Sequence, residues 1–409
     1  MLHRVLVVSN LPAAWTPALS ALLMLLAIGV VAALWRFGAG RDGPPVAPYV
    51  LLALALFVAG DALLLLSLPR LRISFGPLAP QLFVLAAPRL AVAALASFVA
   101  AWAGAVPALA GVLVVNLAAM LALAWGALRE PAEVGLSRVR LPADWIPAGA
   151  PPLRLLHISD LHIERLGRRE ECLLRLTRQT NPQLILLTGD YVNLSGVDDP
   201  AVHAHARRFL AALCDAAVGS GVPPAMYAVL GSPPVDRNSA ALFDGLPIRL
   251  LRDEVVMVER EEGVPIALIG LDCSHDLECD TLRLERAAAQ VASGVPRVLM
   301  YHSPDLMPVA ARLGVALYVC GHTHGGQVRL PRYGALVTSS RYGKHYEMGH
   351  YHEGSTHLYV SRGVGFEGLG APRVRFLCPP EVTLWHLTGS GDIAKRPPPS
   401  LRDNGARVW

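Results

Sequence analysis

Four apolar stretches before residue 130 constrain this chain more than any other feature: 15–35, 47–68, 81–102 and 106–128. A helix needs ~20 apolar residues to cross a bilayer core, and each stretch is long enough. Together they predict a multi-pass transmembrane region over residues 1–128. The first is too long in its apolar core for a cleavable signal peptide, and three more follow it. The break around Gly104-Ala-Val-Pro107 is short, which leaves open one bent hairpin in place of the last two spans. This region explains a composition of 53% hydrophobic against 17% charged residues. The mean hydropathy is +0.42. A net charge of +4, spread along the chain, argues against nucleic acid as a partner.

Arginine placement sets the expected orientation. With four spans, Arg4, Arg70, Arg72, Arg129, Arg138 and Arg140 share one side, and only Arg36 and Arg41 face the other. Positive residues stay inside, so the remainder of the chain is expected on the cytoplasmic side of the inner (plasma) membrane. Asp61 and Arg89 lie within the spans. They read either as a polar pair lining a pathway or as a local packing contact with Arg89 snorkelling to the headgroups, and the second reading is preferred.

Residues 129–152 are rich in proline and read as a linker. From residue 153 short apolar runs alternate with loops. Strands are expected at 153–158, 183–187, 226–230, 255–259, 265–270, 297–301, 316–320, 357–361 and 381–387, with a helix at 168–179. Few helices separate the later strands, so the fold class is α/β, with layered mixed sheets flanked by helices over residues 153–388. Residues 389–409 read as a disordered tail. The six cysteines form no C-x-x-C pair and suggest neither a disulfide framework nor a zinc knuckle. Cys273 and Cys279 bracket one loop.

Ligand-type residues closely follow the strands. They are Asp160 and His162 in Ile-Ser-Asp-Leu-His, Asp190 in Leu-Thr-Gly-Asp, His302 in Met-Tyr-His-Ser-Pro-Asp, and His322 with His324 in Cys-Gly-His-Thr-His-Gly-Gly-Gln. Carboxylates mixed with imidazoles suit Mn²⁺, Fe²⁺ or Zn²⁺. D-x-H and H-x-H spacing puts two donors on one side of extended backbone. His157, between Leu156 and Ile158, reads as a core residue. His203, His205, His345, His350, His352 and His357 read as structural or exposed.

In this order, D-x-H, G-D, a lone histidine and G-H-x-H, the sequence resembles the calcineurin-like metallophosphoesterases. Tyr342-Gly343 and the run from Leu358 to Gly365 are similar to a bacterial, membrane-attached branch. The resemblance implies two divalent ions, with Asp160, His162 and His324 on the first and His302 and His322 on the second. Asp190 would bridge them, and Asp190 and His322 would act catalytically through a hydroxide shared by the ions.

One motif of that family is absent. Where it has G-N-H-[DE], this chain reads Gly231-Ser-Pro-Pro-Val-Asp236. Three readings stay open: a weak second metal site, replacement by Ser232, Asp236, Asn238 or His275, or a module that binds without hydrolysing. Arg329 and Arg332, with Arg341 and Lys344, are candidates for holding phosphate or anionic lipid. The expected function is a membrane-anchored phosphohydrolase whose partners are membrane lipids and a phosphorylated, lipid-linked substrate. The alternative is a non-catalytic metal- or phosphate-binding regulatory module.

Overall fold

Each apolar stretch is a separate helix in the computed structural model, which describes residues 8–38, 45–71, 73, 76–218, 223–259, 265–368, 370 and 372–389. They are α1 (Pro17–Gly38), α2 (Ala47–Ser67), α3 (Leu78–Ala103) and α4 (Ala105–Leu128), all long and apolar enough to span a bilayer. Gly104 divides α3 from α4 at φ 89°, a left-handed value that a glycine adopts without steric cost. Arg4, Arg41, Arg72 and most of the expected tail lie outside the described residues.

The chain divides into two compact units, Met1–Arg129 with Gly368–Val374, and Glu130–Glu367 with Arg375–Trp409. In the first, Met24, Ile28, Val50, Leu54 and Val112 pack with Ala86 and Ala93 of α3, small residues that let helices approach closely. The Trp35 indole donates to the Ala93 carbonyl at 3.0 Å. Leu25, Leu56, Leu63, Phe98 and Val114 face outward, an apolar exterior that suits lipid.

Arg89 does not snorkel. Its Nε and Nη2 donate to the two carboxylate oxygens of Asp61, each at 2.8 Å. Its Nη1 donates to the backbone and side-chain oxygens of Asn116, each at 3.0 Å. Arg89 sits near the middle of a 26-residue helix, too far from either end for its stem to reach a headgroup. The internal partners therefore win.

In the second unit one sheet has the order β1-β14-β2-β3-β4-β5. Its strands are β1 (Gly135–Pro142), β2 (Leu153–Ile158), β3 (Leu184–Leu187), β4 (Ala225–Ala228), β5 (Arg249–Leu250) and β14 (Glu381–Thr388). The other sheet has the order β12-β13-β9-β8-β7-β6. It comprises β6 (Glu254–Val258), β7 (Ile266–Gly270), β8 (Arg297–Met300), β9 (Leu317–Cys320), β12 (Gly349–Glu353) and β13 (Thr356–Val360). A small hairpin, β10 (Arg329–Leu330) and β11 (Gly334–Ala335), stands apart.

Side-chain alternation builds the layers. Leu155, Leu184 and Leu186 meet Leu268, Val298, Met300, Leu317 and Val319 between the sheets. Their neighbours Leu156, Ile158, Ile185 and Leu187 point the other way, onto α5 (Arg168–Thr180) and α6 (Pro200–Ala217). Ala267, Ile269 and Leu299 likewise face α8 (Leu277–Ala289) and α9 (Met307–Arg312), with the short α7 (Pro233–Asp236) following β4. Strands β2 to β5, and β7, β8, β9 and β13, run parallel within their sheets. Loops leaving their C-terminal ends therefore gather on one side, where α/β folds build their sites.

Residues 135–142, expected within a linker, instead form the sheet edge. β1 pairs in parallel with β14 from Gly135 opposite Glu381 to Pro142 opposite Thr388. The flanking prolines mask an alternating Leu-Ser-Arg-Val-Arg-Leu run whose Arg138 and Arg140 are exposed. Charged residues on an edge strand discourage further strand pairing.

Candidate metal centre

The ligand-type residues leave their strands through strained backbone. Asp160, His162, Asp190, His322 and His324 all have positive φ, between 42° and 71°. Such conformations cost energy in non-glycine residues and persist where the surrounding structure enforces them. The motif glycines make room. A Cβ on Gly231 would collide with Asp190, and one on Gly321 with Asp160.

Two donor clusters result, with donor atoms in each lying within 4.8 Å of one another: Asp160, His162, Asp190 and His324, then Asp190, His302 and His322. Asp190 belongs to both. Its Oδ2 lies 3.6 Å from His162 Nε2 and 3.2 Å from His302 Nε2. Its other oxygen accepts from the Ser232 N–H at 2.7 Å. The backbone N–H of His322 orients Asp160, at 3.0 and 3.2 Å from its two oxygens.

The imidazoles are held with one nitrogen turned inward. His302 Nδ1 lies 2.7 Å from the Thr188 carbonyl, which fixes Nδ1 as the donor and leaves Nε2 toward Asp190. That buried Nε2 faces the Asp190 carboxylate at 3.2 Å. His162 Nδ1 lies 3.0 Å from Glu367 Oε2. Its Nε2 faces His324 Nε2 at 3.1 Å, a pair that can share one proton at most. Two imidazole nitrogens turned onto one carboxylate, one of them also facing a third imidazole nitrogen, fit a divalent cation better than they fit one another.

Charge follows the same geometry. Burial opposes the charge on Asp190, but His302, His162 and His322 hold its carboxyl below the usual carboxylate range. Burial likewise opposes protonation of His302, yet Asp190 lifts it to about 10. Burial and neighbouring cationic groups push His322 and His324 well below the ordinary histidine value. The two thus stay neutral, the form in which imidazole binds metal.

The candidates for the missing motif separate clearly. Asp236 is 2% exposed. Its oxygens accept from the N–H groups of Asp190, Tyr191 and Gly231 and from the Ser239 hydroxyl, which occupies it in holding the loop. Burial and Asp190 push its carboxyl up to about 6. Asn238 turns to the Val197 carbonyl and Asp198, away from the clusters. Of these three, Ser232 brings its side chain to a cluster imidazole, with Oγ 3.4 Å from His322 Nδ1. Arg329 is engaged by Glu347 and the Gly325 carbonyl, and Arg332 is exposed. Arg341 instead lines a cavity of about 760 Å³ beside His275, Asp276 and Thr281. His157 is fully buried against Thr188. Glu367 gave no signal in the sequence, since its partner His162 is distant along the chain.

Residues 153–231 match the calcineurin-like phosphoesterase family. The chain is 30% identical to the Escherichia coli phosphodiesterase YaeI, covering 63% of this chain and 90% of that protein. It is 28% identical to the uncharacterized metallophosphoesterase YkuE of Bacillus subtilis, over 63% of this chain and 87% of YkuE. A third relative, the UDP-2,3-diacylglucosamine pyrophosphatase LpxG of Chlamydia trachomatis, is 23% identical over 57% of this chain and 82% of its own. The mixed two-sheet α/β unit carries its aspartate and histidine clusters at the strand ends. The chain belongs to the calcineurin-like phosphoesterase family.

Proposed function

We propose that this protein is a membrane-anchored phosphohydrolase that uses two divalent ions at the cytoplasmic face of the inner membrane. The observation that carries this reading is the single carboxylate, Asp190, common to two converging donor clusters. Asp160, His162 and His324 would hold one ion, and His302 and His322 the other. Such a pair supplies an activated water and neutralises charge on phosphoryl oxygens during in-line attack.

The chain's own residues prepare that chemistry. Glu367 and the Thr188 carbonyl fix the tautomers of His162 and His302. The N–H groups of Ser232 and His322 hold Asp190 and Asp160 in place. Strained backbone keeps the donors gathered before any ligand arrives, so little reorganisation remains to oppose binding.

Four apolar helices support an anchor, and the excess of Arg70, Arg129, Arg138 and Arg140 over Arg36 supports the cytoplasmic orientation. An anchor favours substrates at the bilayer. One relative is named for cleaving a nucleotide-linked acylated sugar, which favours a phosphoanhydride or phosphoester on a lipid-linked substrate here.

The test is hydrolysis of bis(p-nitrophenyl) phosphate and of a lipid-linked pyrophosphate by the full chain in detergent with Mn²⁺. Turnover abolished by Asp190→Ala supports the reading. Metal binding with no turnover on any phosphoester or anhydride would leave a binding module.

A further inference from the structure

By the resemblance, Ser232 stands where the asparagine of G-N-H-[DE] would bind the second ion, and a serine hydroxyl is a weaker donor than an amide carbonyl. It improves when its proton is held elsewhere, since the lone pairs then face the cation. Serine and threonine hydroxyls serve as Mg²⁺ ligands in P-loop enzymes. The question is what holds the proton of Ser232.

His275 does. Its Nε2 lies 3.2 Å from Ser232 Oγ, and its ring packs on His322 at 4.7 Å between centroids. It follows β7 on the side of the fold where the other donors gather. Its φ of 61° is left-handed, as in five of the six residues grouped around the candidate metals.

Behind His275 a chain of hydrogen bonds runs to a buried carboxylate. Cys273 Sγ lies 3.5 Å from His275 Nδ1 and 3.9 Å from its Nε2, so Nδ1 is the nearer of the two ring nitrogens. Cys273 donates to the Tyr301 hydroxyl at 3.4 Å, and Tyr301 donates to Asp280 at 2.6 Å. Asp280 is fully buried and also accepts from the backbone and hydroxyl of Ser274. Burial pushes the Cys273 thiol up to about 12, so it stays a thiol. Its proton is committed to Tyr301, which leaves its sulfur to accept from Nδ1–H. His275 Nε2 is then the acceptor for Ser232 O–H.

We infer that Ser232 Oγ is the replacement donor to the second ion, positioned and polarised by His275 through the Cys273–Tyr301–Asp280 chain. This rests on the two-ion reading and explains how the motif could be lost without emptying the site. Pro233 and Pro234 fit the same design. Ser232 precedes the short helix α7, where missing N–H groups go unneeded.

The test is Mn²⁺ binding to the full chain in detergent, by calorimetry and by the spin-coupled Mn²⁺ resonance signal of a filled pair. Wild type is expected to bind two ions. Ser232→Ala and His275→Ala should each weaken the second ion at least about tenfold, the size typical of outer-shell losses, and leave the first unchanged as a folding control. Ser232→Asn supplies its own oxygen, so Ser232→Asn/His275→Ala should regain wild-type binding. Second-ion affinity within about twofold of wild type in Ser232→Ala, or one ion only in wild type, overturns the inference. Turnover is scored separately. Hydrolysis with an indifferent Ser232→Ala sinks this inference alone, and coupled second-ion binding without hydrolysis sinks the catalytic reading alone.

Discussion

Glu367 sets a carboxylate oxygen 3.0 Å from Nδ1 of His162. Gln327, the last residue of the Gly-His-Thr-His-Gly-Gly-Gln run, clamps the Glu367 backbone from both sides, at 2.7 and 2.8 Å. A histidine whose outer nitrogen is committed to a carboxylate presents its other nitrogen as a stronger metal donor. Glu367→Gln should therefore weaken the first ion by ~10- to 100-fold. Calorimetric Mn²⁺ titration of the full chain checks this, and unchanged first-ion affinity would count against the assignment.

Arg89, Asp61 and Asn116 close a polar cluster inside the helical unit. Removing one partner leaves a buried charge alone, so Asp61→Ala or Arg89→Leu should cost ~3–5 kcal/mol. The double variant should recover part of that loss. Denaturant unfolding of the helices in detergent, followed by circular dichroism, reads both.

Asp236 is expected to behave as a loop clamp. Asp236→Ala strands three buried N–H groups, each worth ~1–3 kcal/mol when unpaired. The metal-free protein, kept in chelator, should lose at least about 3 kcal/mol of stability. A ligand would show the opposite pattern, with metal affinity lost and metal-free stability kept.

Burial pushes His157 down to about 3 from an ordinary value of 6.5. Below pH 6.5 the unfolded chain takes up a proton that the folded chain refuses. Stability from this residue is thus present above pH 6.5 and declines as pH falls toward 3, by up to ~1.4 kcal/mol per unit. His157→Leu should flatten that acid limb in unfolding curves measured from pH 7 to 4. An unchanged slope would show that other groups dominate it.

Much of this structure is legible along the sequence because the signals are local. Long apolar runs mark the helices of the first unit, and a ligand-type residue soon after an apolar run marks each donor. The sequence leaves Ser232, Asp236 and Asn238 as equal candidates, and the loop's conformation is what separates them. What escaped depends on partners far away in the chain. β1 is a strand because β14 lies beside it, and Arg138 and Arg140 make its sequence look like surface. Glu367 lies beside His162, a pairing that no short motif encodes, and the contact of His275 with Ser232 is likewise set by distant segments.

The position of β14 also imposes an order of events. It lies between β1 and β2, with Leu387 opposite Leu153 and Gly135 opposite Glu381. As the chain is synthesised, β1 and β2 emerge early and wait with a strand-wide gap between them. The pairing that fills it is of high contact order, hence slow, and the two open edges can recruit other strands meanwhile. A fragment cut before Glu381 would be arrested at that waiting stage, while one begun near Arg140 would lose most of β1 and leave the outer side of β14 unpaired. Either carries a sheet edge exposed to aggregation.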